Sequence, residues 1–366
     1  MKKVLHILYE LLPSGAETML SSSAELWDGY EKYILATGPT EGSYADNLRL
    51  AGYHVIYIHN NNFLMQHREV RKFIRKNQFD VIHIHVEGQA VFYAFDVWSQ
   101  GVKSVVRTVH NCFCFNGILR YRRILTRSLE RLFGVRFIAL GESVEKNERD
   151  RFYNKGNRVI RNWCNTDVYH YITEEEQTAA RTELKIPEDT FAILSVGNCN
   201  ELKNHSLLLQ TLHKCIPMTD VKIKYYHVGS GELESNERRL ADELNLNETV
   251  VFTGRQQPKE YLAAANLYVM PSILEGLPIA ALEAICCGLP VLFADTPGLS
   301  DFHILKNENI FFAEPNEIEM ARQLMNCINQ FREKRLKNSP EEAQEAMNVF
   351  NMQKSVKQYL NLYNKK

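Results

Sequence analysis

Residues 271–290 read PSILEGLPIAALEAICCGLP and stand directly behind the apolar run Leu267 to Met270. A four-residue apolar run closed by a proline reads as a buried strand of a parallel sheet. Pro278 suits the first turn of the following helix, where its missing N–H costs nothing, and Gly288 suits the position just past the helix end. Between them Ile279, Ala280, Ala281, Leu282, Ala284 and Ile285 make the helix apolar over most of its circumference, so it is expected to be buried. Two carboxylates interrupt the pattern, Glu275 before the helix and Glu283 inside it. A buried carboxylate needs hydrogen-bond donors. The vicinal hydroxyls of a ribose or hexose can supply them, and so can a structural Arg or Lys.

The alternation of short apolar runs and longer amphipathic stretches extends along nearly the whole chain. In the first half the strand candidates are Val4–Leu8, Tyr33–Thr37, His54–Ile58, Val81–Val86, Ser104–Val109 and Arg136–Leu140. A second series runs Phe191–Val196, Lys222–Val228, Val250–Thr253, Leu267–Met270, Val291–Ala294 and Ile310–Phe312. Strands alternating with helical patterns predict an α/β chain with parallel, doubly wound sheets. Two series predict two such domains. The boundary is expected between Asn162 and Thr190, where TEEEQTAARTELKIPEDT reads as a surface helix. The chain closes on a helical pattern with an apolar face, Val349, Phe350, Met352, Val356, Tyr359, Leu360 and Tyr363.

A length of 366 residues suffices for two full cores. Hydrophobic residues at 45% and charged residues at 24% are ordinary for a globular protein. A net charge of −1 argues against the broad basic footprint of a nucleic-acid binder. Met1-Lys2-Lys3 leads straight into VLHIL with no secretory pattern, and no apolar run approaches the ~18 residues of a spanning helix. A cytoplasmic location is therefore expected. The eight cysteines are read as reduced core or loop residues, because neither Cys112/Cys114 nor Cys286/Cys287 has a partner pair at zinc-finger spacing. No metal is expected.

Several further positions stand out. Gly15 opens a helix after the first strand, where backbone N–H groups can meet a phosphate, or where an ordinary strand-to-helix turn needs a small residue. His83 and His85 share a face of one strand; with no third ligand nearby in sequence, hydrogen-bonded histidines are the simpler reading. His110 ends the strand SVVRTVH, at the strand edge where α/β sheets bind ligands. Residues Gly117 to Phe137 carry six arginines with one acid, Glu130, over an apolar component at helical spacing. Such a helix can lie on an anionic membrane or meet a lipid-linked diphosphate. It can equally pack on its own sheet with a solvated basic face.

The segment EGLPIAALEAICCGLPV resembles the E-x7-E signature of retaining glycosyltransferases with the GT-B fold, the family 4, "glycosyl transferases group 1" type. That resemblance implies two Rossmann-like domains facing across a cleft, at 1–165 and 166–345, with residues 346–366 crossing back to the first. It implies that Glu275 contacts the donor sugar, Glu283 the nucleotide ribose, and Gly276, Leu277 and Pro278 the same site. His110-Asn111 is similar to the segment that carries the family's active-site histidine, and Ser14-Gly15-Ala16-Glu17 to its GGxE loop. Gly197 with Lys203-Asn204 matches the pattern in which basic residues hold the diphosphate, with Asn198 standing where the family has Arg. Gly229-Ser230-Gly231 matches its turn near the nucleotide, and Arg255 and Gln256 fall where a base-contacting loop is common. RNWCNTD and Thr296-Pro297-Gly298 match only in part.

The implied activity is retaining, metal-independent transfer from a UDP- or GDP-linked sugar to a glycan or lipid-linked acceptor. His110, Glu275 and Lys203 are the catalytic set, and bacterial surface polysaccharide synthesis is the implied setting. No cofactor is implied, and no DxD metal motif is present. A non-catalytic nucleotide-sugar-binding subunit and a sugar-nucleotide epimerase are the alternatives.

Overall fold

The structure is a computed structural model that describes residues 1–364. It divides into two compact units, residues 1–163 joined by the last helix, Met352–Tyr363, and residues 164–351.

The first unit is built on β1 (Lys2–Leu8), β2 (Tyr30–Ala36), β3 (His54–Tyr57), β4 (Val81–Ile84), β5 (Ser104–Val109), β6 (Val135–Ala139) and β7 (Arg158–Val159). All pair in parallel, in the order β3-β2-β1-β4-β5-β6-β7. The two-residue β7 lies beyond the sequence reading, because so short a segment has no apolar run of its own. The central strands are buried on both faces, which is why they read as continuous apolar runs rather than alternating ones. Met352–Tyr363 belongs to this unit through Tyr359 and Tyr363, which pack against Trp27 and His83.

The second unit repeats the plan with β8 (Thr190–Val196), β9 (Lys222–Val228), β10 (Val250–Gly254), β11 (Leu267–Met270), β12 (Val291–Ala294) and β13 (Ile310–Ala313). Their order is β10-β9-β8-β11-β12-β13, again parallel throughout. The helix Glu174–Glu183 is opened by a capping box between Thr173 and Glu176. Its buried Arg181 donates to the carbonyls of Ala264, Pro187 and Thr190, tying the helix to the sheet.

In both sheets the winding direction reverses beside the first strand, between β1 and β4 and between β8 and β11. Neighbouring connections there leave on opposite faces and open a crevice at the carboxyl ends of the strands.

Candidate active site

In the second unit the loops that leave β8 and β11 carry the residues singled out from the sequence. The helix after β11 spans Ile279–Cys286, with Pro278 as its N-cap residue in extended conformation. Pro278 thus sits one place before the first helical turn expected for it. Gly288 has φ +76° at the C′ position, with Gly288 N–H bonded to Ile285 O and Leu289 N–H to Ala284 O. That is the double closure of a Schellman motif, which needs a left-handed residue.

Glu275 is buried, and its Oε1 accepts from Lys203 Nζ at 2.7 Å. Lys203 remains partly exposed, with a side-chain exposure of 21%, so its ammonium has one face on the carboxylate and one open. The loop around Glu275 is braced by the partial-match segment: Glu275 N–H donates to Pro297 O, and Thr296 Oγ1 donates to Ser272 O. A Cβ on Gly298 would lie 2.4 Å from Glu275 O, so this turn needs glycine for close approach as well as for its φ of +89°. Thr296 to Gly298 are positioning residues that sequence reasoning undervalued, because their task is to hold Glu275.

Glu283 answers the question left open by its sequence. Among the described residues no Arg or Lys forms an ion pair with it. Burial pushes its carboxyl up to about 8, and a hydrogen bond from Tyr169 opposes only part of that shift. Folding therefore favours the protonated form. The stability this contributes is complete below the unfolded value of 4.5 and is lost as pH rises toward 8. Replacing Glu283 by Gln should leave the midpoint unchanged at pH 4.5. At pH 8 it should raise stability by on the order of 3 kcal/mol. Thermal melts of both proteins across that range check this, and parallel curves would remove the buried acid.

Gly197, Asn198 and the loop to Lys203 lie against Gly229-Ser230-Gly231. Gly197 N–H donates to Val228 O and Cys199 N–H to Ser230 O. A Cβ on Gly229 would lie 1.8 Å from Gly197 O, and one on Gly231 2.4 Å from Cys199 O. The two loops touch backbone to backbone only because both positions are glycine. Asn198 is exposed, and Arg255 Nε donates to Ser230 Oγ at 2.8 Å, which brings a guanidinium onto the same glycine turn. Gly276 and Leu277 are buried beside Glu275.

In the first unit Gly15 is the first residue of the helix Gly15–Ser22, at the carboxyl end of β1. Glu17 is buried there, bonded to Ser14 Oγ and pushed up to about 7 by burial. His110 follows β5 and is half-buried, its Nε2 2.9 Å from His85 Nδ1. His85 Nε2 in turn lies 3.0 Å from His6 Nδ1. Burial and nearby Arg107 lower His110 to about 4, so it is a neutral imidazole at neutral pH. His83 bonds Tyr363 OH and Thr108 Oγ1. His6, from β1, was missed in the sequence because its neighbours come from other strands.

The arginine-rich stretch differs in part from both readings of its basic face. The helix spans Gly117–Leu132; Arg127 is buried, Arg120, Arg123 and Arg131 are half-buried, and Arg122 stays exposed. Arg127 is buried and reaches Glu148 at 2.6 Å and Glu87 at 3.2 Å, Arg123 lies 3.6 Å from Glu87, and Arg131 donates to Asn154. Buried Arg107, from β5, bonds Glu130 and Glu87. The apolar residues face outward instead: Ile118 is 88% exposed, Tyr121 68%, Leu125 61% and Leu132 76%. Much of its basic charge is met by acids from other elements, Glu87 and Glu148, and Arg122 is left exposed. No helix of the described residues is long and apolar enough to cross a membrane.

Two doubly wound parallel sheets, one in each unit, are the GT-B arrangement. Residues 28–168 match the family model described as Glycosyltransferase Family 4, and residues 176–345 the one described as Glycosyl transferases group 1. The chain belongs to the GT-B glycosyltransferases of the family 4 type. It is 28% identical over 314 residues to EpsF of Bacillus subtilis, a relation covering 81% of this chain and 79% of that one. It is 23% identical over 293 residues to CapH of Staphylococcus aureus, a capsular polysaccharide biosynthesis glycosyltransferase, covering 78% and 79%. Among solved structures, Anabaena HepE in complex with UDP superposes with a TM-score of 0.80 at 19% identity, covering 99% of each chain.

Proposed function

We propose that this protein is a retaining glycosyltransferase that moves a sugar from a UDP- or GDP-linked donor to a glycan or lipid-linked glycan during bacterial surface polysaccharide synthesis. The observation that carries the reading is Lys203, held by Glu275 with one face of its ammonium open, beside a glycine-only loop contact. A cation so placed meets the charge that grows on a departing diphosphate. Glu283, without a cationic partner, accepts the ribose hydroxyls, and Glu275 the donor sugar. Arg255, anchored on Ser230, supplies the positive charge that Asn198 lacks. The resemblance assigns His110 to the sugar-reactive centre, where a neutral imidazole serves as a hydrogen-bonding group.

In the proposed step the bond from the anomeric carbon to the phosphate oxygen breaks as the bond to the acceptor oxygen forms on the same face. The acceptor proton passes to the leaving phosphate, so no metal and no enzyme nucleophile enters. The UDP bound by HepE, and the capsular role named for CapH, support the donor and the setting.

A thermal-shift panel of UDP-, GDP-, ADP- and CMP-sugars tests the donor site. At a hundred times its Kd the right donor should add about 2.7 kcal/mol of stability, and Glu283→Ala should abolish the rise. No shift with any of them would sink the assignment of Glu275, Glu283 and Lys203, and would favour the non-catalytic subunit.

We further propose that the chain works in the cytoplasm, on the inner face of the plasma membrane, through the outward apolar face of Gly117–Leu132. Exposed Arg122 lies beside that face and suits anionic headgroups. Binding to phosphatidylglycerol vesicles should fall at least tenfold in Leu125→Asp/Leu132→Asp. Unchanged co-sedimentation would exclude this face.

A further inference from the structure

Cys199, His205, His227 and Glu237 converge where the loop after β8 meets the loop after β9. All four are buried, and one ligand atom from each lies within 4.8 Å of the other three. Cys199 Sγ is 3.2 Å from His227 Nε2, and His205 Nδ1 is 3.0 Å from Glu237 Oε1. Glu237 Oε2 is buried and makes no hydrogen bond among the described residues, although the residue is only 4% exposed. An unpaired carboxylate oxygen in such a place is costly, and a cation removes the cost. The other nitrogen of His227 faces Tyr225 OH at 3.5 Å, the kind of second hydrogen bond that orients a ligating imidazole.

We propose that these four side chains form a tetrahedral zinc site that locks the two donor loops together. One thiolate, two imidazoles and one carboxylate is a zinc donor set, whereas magnesium and calcium take six or more oxygens. Zinc–ligand bonds of about 2.0–2.3 Å place neighbouring ligand atoms roughly 3.3–3.7 Å apart. The 3.0 and 3.2 Å contacts lie just short of that range and every other separation is within 4.8 Å, so small side-chain adjustments bring the four atoms onto a tetrahedron. On binding, the Cys199 S–H bond breaks, the sulfur bonds zinc and one proton leaves to solvent. The imidazoles stay neutral, Glu237 coordinates as a carboxylate, and nothing is oxidised or reduced.

The ligands come from four separate segments. Cys199 lies in the loop after β8 and His205 opens the helix His205–Cys215, two residues past Lys203. His227 belongs to β9, and Glu237 to the helix Glu234–Glu243 that follows the glycine turn. A cavity of ≈ 400 Å³ lined by Asn200, His205, Asn236 and Glu237 provides the route of entry. The metal touches no substrate in this scheme; it positions the loops that do.

The test uses the tag-free full-length protein, stripped by chelator and then loaded with Zn²⁺ or Co²⁺. Zinc should remain at one equivalent per chain after dialysis and raise the melting midpoint. Cobalt should show the near-ultraviolet thiolate-to-metal band and the intense visible bands of a tetrahedral site. In Cys199→Ser the sulfur band should vanish and zinc occupancy should fall at least tenfold. Absence of stoichiometric zinc overturns the proposal. So does a wild-type cobalt spectrum without the sulfur band, which would point to the other close cluster, His6, His83 and His85. The wild-type spectrum decides the matter even if the variant fails to fold.

Discussion

Lys203→Ala should lower kcat by about 10²–10³, with KM for the donor changing far less. Losing one preorganised group aimed at developing charge costs roughly 2.7–4 kcal/mol of transition-state stabilisation. Here the loss has two parts. The departing diphosphate keeps its charge uncompensated, and buried Glu275 loses the donor that holds it at 2.7 Å. Glu275→Gln with Lys203→Ala separates them: the second change removes the stranded carboxylate, so it should return part of any stability lost and none of the rate. Steady-state kinetics with the donor identified by thermal shift, alongside melting curves, make the comparison. A fall in kcat of less than tenfold in folded Lys203→Ala would remove the lysine from the leaving-group role.

Arg127→Met should destabilise the first unit by about 3–5 kcal/mol, the usual consequence of removing one partner from a buried ion pair. Glu148 is fully buried and takes bonds from Arg127 Nε at 2.7 Å and Nη2 at 2.6 Å, and from Asn154 Nδ2 at 2.8 Å. Arg127 also stacks on Phe152, with 4.2 Å from the guanidinium carbon to the ring centre. Methionine keeps most of the side-chain volume, so the effect reads the charge rather than a cavity. Arg127→Met/Glu148→Leu should recover much of the loss, since an apolar pair can replace a buried ionic one at little cost. Urea unfolding measures both, and a single-variant loss below about 1 kcal/mol would make the network ornamental.

What the sequence disclosed depended on how local each signal was. The β11 strand and the helix behind it were readable because strand, proline, apolar helix and left-handed glycine follow one another within twenty-odd residues. Glu275, Glu283 and Lys203 were singled out through a family resemblance carried by short local motifs, EGLPIAALEAICCGLP and Gly197 with Lys203-Asn204. The helix Gly117–Leu132 misled because its own segment holds a single acid. Glu87 and Glu148, which meet much of its basic charge, arrive from a strand end and from another helix. His6 beside His85, and Cys199 beside His227, were hidden likewise: neighbouring strands of a parallel sheet are separated in sequence by a whole helix and its loops.

The closing helix has a consequence for how the chain is made. The first unit is discontinuous: Tyr359 and Tyr363 fill space against Trp27 and His83, and Lys2 Nζ donates to Asn364 Oδ1. During synthesis the opening segment must wait, short of its last helix, while residues 164–351 emerge and fold as an independent body. The part made first is completed last. Because Lys2 and Asn364 meet, a circular permutant that links them directly and opens the chain in an exposed loop would let that unit close before the other begins.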